Sequence, residues 1–149
     1  MSIVDEVYGY DDEQKAFDAT VALTTKYPNL AGIFAPTCPG APAVGSALET
    51  IKKNGEIKVA GTCVPSISAQ YMLNDTIQVL YLWDPIKLGY VTYHAAKLMS
   101  EGKLKGEPGE SFTIETGAFP GTYTINEQSE VITTEPLEYT EENYKDNPY

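Results

Sequence analysis

The sequence predicts an α/β fold with a mostly parallel sheet layered against helices. Three observations carry that expectation. Strand-length apolar runs alternate with helical patterns as far as residue 100, giving the order β-α-β-α-β-α-β-α. Leu30–Ala35 is a continuous apolar run, as suits a parallel strand covered on both faces. The chain has 149 residues, 42% of them hydrophobic, which suits one domain built around one core.

Each element has a local reason. Ile3–Tyr8 reads as a short strand. Asp11-Asp12-Glu13 opens a helix, because acids favour its positive end; Ala16, Phe17, Thr20 and Leu23 recur at helical spacing, and Tyr27-Pro28-Asn29 stops it. Leu30–Ala35 is the second strand, and a loop with Pro36, Pro39, Gly40 and Pro42 follows. A helix is expected over Ala43–Lys53, with Asn54-Gly55 as its cap. Ile57–Gly61 is the third strand, Ser66–Leu73 a short helix, and Ile77–Leu82 the fourth strand. Pro85–Ser100 is a long helix with proline where it is tolerated, ending near Gly102. Residues 106–149 change character. Short β-type runs at Ser111–Glu115, Thr122–Ile125 and Glu130–Thr134 suggest an irregular tail with one or two edge hairpins.

Charge narrows the partners. A net charge of −11 and a pI near 4.4 oppose nucleic acid and anionic membranes, both of which need clustered Lys and Arg. No apolar run approaches the roughly 18 residues that span a bilayer. The start, Met-Ser-Ile-Val-Asp-Glu, lacks a basic and apolar leader. Either the protein stays in the cytoplasm or an upstream part belongs to it.

Ligands of parallel α/β sheets sit beyond the carboxyl ends of the strands. That rule selects Pro36-Thr37-Cys38-Pro39, Thr62-Cys63-Val64-Pro65 and Trp83-Asp84. Trp83 and Asp84 put an aromatic ring beside a carboxylate. Each also has a plain reading: Asp84 as the cap of the helix at Pro85, Trp83 as core. Asp11 and Asp12 are read as helix-start acids. Cys38 and Cys63 follow strands that should be neighbours, so either they form a disulfide or they are two separate thiols, the second being favoured. His94, the only histidine, is read as an ordinary position in the middle of a helix. With one His and no paired Cys spacing, no metal site is expected. No phosphate-cradling glycine loop, cofactor motif or catalytic residue is evident, so no enzyme is expected.

Several landmarks fall in a characteristic order: Val7–Lys15, Lys26-Tyr27-Pro28-Asn29-Leu30, Gly32–Thr37, Leu82-Trp83-Asp84-Pro85, Gly109-Glu110-Ser111-Phe112 and Tyr139–Asn143. In that order and spacing the chain resembles the second half of type I periplasmic sugar-binding proteins, the rhamnose- and autoinducer 2-binding kind. The resemblance implies a flavodoxin-like lobe beginning at its second strand, with the lobe's first strand and helix having no counterpart. It divides the chain into an incomplete carboxyl-terminal lobe, 1–105, and a tail, 106–149. The helix at 85–100 would normally pack on the other lobe. The resemblance implies ligand contacts from main-chain groups at Pro36 and Cys38, with Thr37 between them, and, as the best pair, from Asp84, whose carboxylate accepts two hydroxyl hydrogen bonds, and Trp83, whose ring stacks on the apolar face of a sugar. In such a family the ligand, a small sugar or furanosyl diol, is handed to an ATP-driven permease. A half-protein of this kind is expected to be a homodimer, a strand-swapped assembly, or the partner of a separate amino-terminal lobe. The alternative is a truncated fragment that folds by association and binds nothing.

Overall fold

A computed structural model describes residues 2–146. Among them are four α-helices, six short strands and one 3-10 turn, falling into two compact units. Among the described residues the first comprises 2–82 and 138–146, the second 83–137. The helix at 85–100 therefore groups with the residues that follow it.

The first unit holds α1 (Glu13–Lys26), β1 (Gly32–Ala35), α2 (Gly40–Thr50), β2 (Lys58–Thr62), α3 (Pro65–Leu73) and β3 (Val79–Leu82). Leu137–Tyr139, numbered β6, closes the sheet in the order β1-β2-β3-β6. β1, β2 and β3 are parallel, with Ile33 opposite Val59, Ala35 opposite Gly61 and Gly61 opposite Leu80. The expected alternation is thus present. Both crossovers leave in the same direction, so right-handedness puts α2 and α3 on one face. That face is closed: Ala35, Val59 and Leu80 are buried, beneath Ala41, Val44, Ala47 and Leu48 of α2 and Met72 of α3.

The ends of the helices show why they stop. Asp12 caps α1 by accepting from the Lys15 N–H at 2.9 Å. α2 ends when Lys52 adopts a left-handed φ of 58°, with the Lys53 N–H reaching back to Leu48 O at 2.8 Å. α3 ends in the same motif at Asp75, φ 58°, with the Thr76 N–H on Tyr71 O.

Four expectations are corrected. Ile3–Tyr8 forms no strand, because among the described residues no strand lies beside it to complete a ladder. Side chains hold it instead: Asp5 accepts from Lys26 Nζ at 2.8 Å and from the Tyr27 hydroxyl at 3.0 Å. β1 is not covered on both faces; it is an edge strand, and Phe34 is 64% exposed. α2 spans Gly40–Thr50 rather than Ala43–Lys53. Its start tolerates Pro42 in the first turn, and Lys52, not Gly55, takes the left-handed position after it. Glu130–Thr134 is not a strand; it leaves a turn that Asn126 closes by accepting from the Gln128 and Glu130 N–H groups. The third strand falls at β6 instead.

The second unit is α4 (Pro85–Ser100) and a hairpin of β4 (Ser111–Ile114) and β5 (Gly121–Thr124). Val91 of α4 packs with Leu104, Phe112, Ile114, Tyr123 and Ile125. The rings of Phe112 and Tyr123 stack at 5.6 Å. α4 ends at Gly102, φ 69°, in the same closing motif as α2 and α3. Glu110 organises the approach to the hairpin: Oε2 accepts from the N–H groups of Lys105, Gly106 and Glu107 at 3.0, 2.7 and 2.9 Å. Those bonds favour the carboxylate, the Glu107 N–H most, and lower its pKa. Among the described residues no helix is long and apolar enough to cross a membrane.

Candidate ligand-binding site

β1, β2 and β3 end at Ala35, Thr62 and Leu82, and each is followed within a few residues by a helix. Parallel sheets place their ligands at this end, because short loops and helix N-termini present backbone donors there. None of α2, α3 and α4 has an acid in its first turn, although the chain is strongly acidic.

Pro36 is exposed, and Thr37 and Cys38 are half-buried. Thr37 organises the entry to α2: its carbonyl accepts from the Ala41 N–H at 3.1 Å and its Oγ1 from the Gly40 N–H at 3.3 Å. Cys38 is joined to Cys63 by a disulfide, which corrects the expectation of two separate thiols. The reason is register. Ala35 pairs with Gly61, and the cysteines lie three and two residues beyond that pair, in the segments that leave the two neighbouring strands. Cys63 is completely buried. Neither sulfur is left as a thiolate nucleophile. His94 lies in the other unit, against the rings of Tyr90 at 4.7 Å and Tyr93 at 5.4 Å.

Trp83 and Asp84 open the second unit, directly after β3 in the chain. Trp83 is 52% exposed, so the core reading does not hold. Asp84 is half-buried and caps α4, accepting from the Lys87 N–H at 2.8 Å. The cap reading of Asp84 is therefore correct as far as it goes. The strand-end rule also selected Thr62–Pro65, and there Cys63, one residue beyond β2, enters as the buried end of the disulfide. A separate concavity lies near the amino-terminal end of β3, lined by Asp75, Ile77, Gln78 and Glu141 among others, at the end of the sheet away from these loops.

A family model described as a periplasmic binding protein domain matches residues 1–104. A sugar ABC transporter structure from Actinomyces odontolyticus is 32% identical with a TM-score of 0.82, covering 99% of this chain and 46% of its own. An ABC transporter solute-binding protein from Clostridium phytofermentas, solved with bound L-rhamnose, is 30% identical with a TM-score of 0.81, over 93% of this chain and 46% of its own. A protein from Clostridium saccharobutylicum in complex with AI-2, 16% identical, shares the fold at a TM-score of 0.82, over 99% of this chain and 49% of its own. The chain spans about half the length of each of these structures. With its parallel sheet and 104 matched residues, the chain belongs to the periplasmic binding protein family.

Proposed function

We propose that this chain is the carboxyl-terminal half of a sugar-binding component of an ABC transport system, and that it contributes half of the ligand site. The observation that carries this is the 30% identity, over 93% of the chain, to a protein holding L-rhamnose. Pro36 and Cys38 supply main-chain groups to ligand hydroxyls, with Thr37 fixing the loop between them. Trp83 supplies an exposed ring, and Asp84 a carboxylate acceptor. The ligand is a small sugar or furanosyl diol, and the partner that receives it is an ABC permease. No catalysis is involved.

Thermal unfolding against a panel of rhamnose, ribose, other pentoses and hexoses, and the furanosyl diol tests this reading. A ligand present at about 100 times its Kd adds about 2.7 kcal/mol, a rise of several degrees at this size. A saturable rise with one compound supports the reading; no rise with any opposes it.

A second reading is favoured by β1, which has no strand on its outer edge among the described residues and whose Phe34 is 64% exposed. Exposed strand edges template pairing with another chain. On this reading the chain is a fragment that folds by dimerisation or strand swapping, or pairs with a separate amino-terminal lobe, and binds no sugar alone. Light scattering separates the cases: a dimer supports association through this edge, and a monomer excludes it.

A further inference from the structure

We propose that the Cys38–Cys63 disulfide is a positioning cross-link, which holds the loop after β1 in the conformation that meets the ligand. The inference rests on the sugar-binding reading above, and deepens it by assigning a role to a residue pair. Three observations converge on the same few residues. The disulfide ties the loop after β1 to the residue that follows β2, its ends 25 positions apart in the sequence. Cys63 is fully buried, so one end of the tie is anchored in the core. Gly61 leaves room for close packing directly beneath. A β-carbon there would lie 2.8 Å from Ala35 O and 3.1 Å from Ala41 Cβ. The end of β1, the start of α2 and the end of β2 therefore meet at a single point.

Between the two cysteines' strands, the rest of the loop has little to hold it. Pro36 is exposed, and Thr37 makes only local bonds to Gly40 and Ala41. Main-chain contacts to a ligand depend on the placement of the backbone rather than on any side chain. A covalent tie at Cys38 supplies that placement before the ligand arrives, which reduces the ordering cost of binding. The tie is reversible with a dithiol. Two protons and two electrons pass from the dithiol to the protein sulfurs, leaving two cysteine thiols and a cyclic disulfide of the reductant.

The test compares oxidised chain, chain reduced with dithiothreitol, and the Cys38→Ser/Cys63→Ser double variant, all under conditions where each is folded. Backbone amide exchange is measured first, without sugar. The proposal expects exchange at residues 37–41 and 63–67 to rise at least tenfold in both disulfide-free forms, with α1 and β3 unchanged. Exchange that stays the same, or that rises uniformly across the first unit, overturns it. The second readout is L-rhamnose affinity, expected to fall several-fold without the disulfide; affinity that stays equal while the loop loosens also overturns the proposal. If the oxidised chain binds no sugar, the sugar-binding reading fails, and the exchange pattern alone decides whether the disulfide positions the loop.

Discussion

Gly45 lies face-on to the ring of Tyr71. A β-carbon at position 45 would come within 2.7 Å of Tyr71 Cγ and 2.8 Å of Cδ1. This contact lets α2 and α3 approach closely over the buried face of the sheet. Two effects oppose each other in Gly45→Ala. Alanine favours the helix by up to about 1 kcal/mol, whereas overpacking a closed core costs about 1–3 kcal/mol. Tyr71 is only 8% exposed and its ring has little room to move, so the clash wins. Gly45→Ala is expected to lower the urea midpoint, and Tyr71→Leu in the same chain to restore part of the loss. A more stable single variant would refute this packing.

The left-handed residue after α2 predicts the opposite sign. Lys52 holds a φ of 58° where Gly102 holds 69° after α4. A side chain costs about 1 kcal/mol or more in that region, and glycine does not pay it. Lys52→Gly is expected to stabilise the chain by about 0.5–1 kcal/mol, after the extra freedom of glycine in the unfolded state is subtracted. Gly102→Ala is expected to destabilise it. Denaturant midpoints of both variants check the pair of signs.

Glu110 makes stability depend on pH. Its three backbone hydrogen bonds lower its pKa below the ordinary glutamate value. A group lowered on folding stabilises fully above its unfolded pKa, and that contribution is lost as pH falls through the lower folded value. Glu110→Gln removes the charge and one acceptor, so the wild type should lose its advantage over the variant as the solution is acidified. A stability difference that does not change from neutral to acidic pH would contradict this.

The disulfide closes a loop of 25 residues' separation. Chain-entropy arguments assign such a loop about 3.5 kcal/mol. Cys38→Ser/Cys63→Ser is expected to lose about that much in urea unfolding, and added reductant should shift the wild type but not the variant. Equal midpoints for oxidised and reduced wild type would mean that the bond is absent in solution.

Asp84 separates two roles with two substitutions. Asparagine caps helices as well as aspartate does, whereas alanine costs about 1 kcal/mol. Asp84→Asn should therefore keep stability and lose charge-assisted acceptance from ligand hydroxyls. Such bonds are worth about 1.5–3 kcal/mol, roughly a 10- to 100-fold loss of affinity. Asp84→Ala should lose both. Unchanged sugar affinity in Asp84→Asn would leave Asp84 as a cap alone.

The elements most legible in the sequence are those with local causes. α4 begins at Pro85 behind its Asp84 cap and ends at Gly102, and each of these signals acts within one turn. β1 to β3 announced themselves as apolar runs between turn residues. What the sequence hid is non-local. Ile3–Tyr8 has strand chemistry, but a strand needs a neighbour, and no periodicity reveals whether one is there. Phe34 looks like a core residue until the alternation along β1 is seen to turn it away from the face where Ala35 is buried. The disulfide depends on strand register, which sets Ala35 opposite Gly61; two cysteines 25 residues apart do not show it by spacing. Of the site, Asp84 was visible as a cap and Trp83 as an aromatic beyond a strand, but its exposure required the structure.

Site-resolved titration of the isotope-labelled chain with L-rhamnose, followed by amide and indole NMR shifts, tests the central claim most directly, because it detects even the weak binding of half a site. The account predicts saturable shifts confined to the amides of Thr37 and Cys38, the Trp83 indole N–H and the amide of Asp84. No shift at the highest soluble sugar concentration, or shifts elsewhere in the chain, would contradict it.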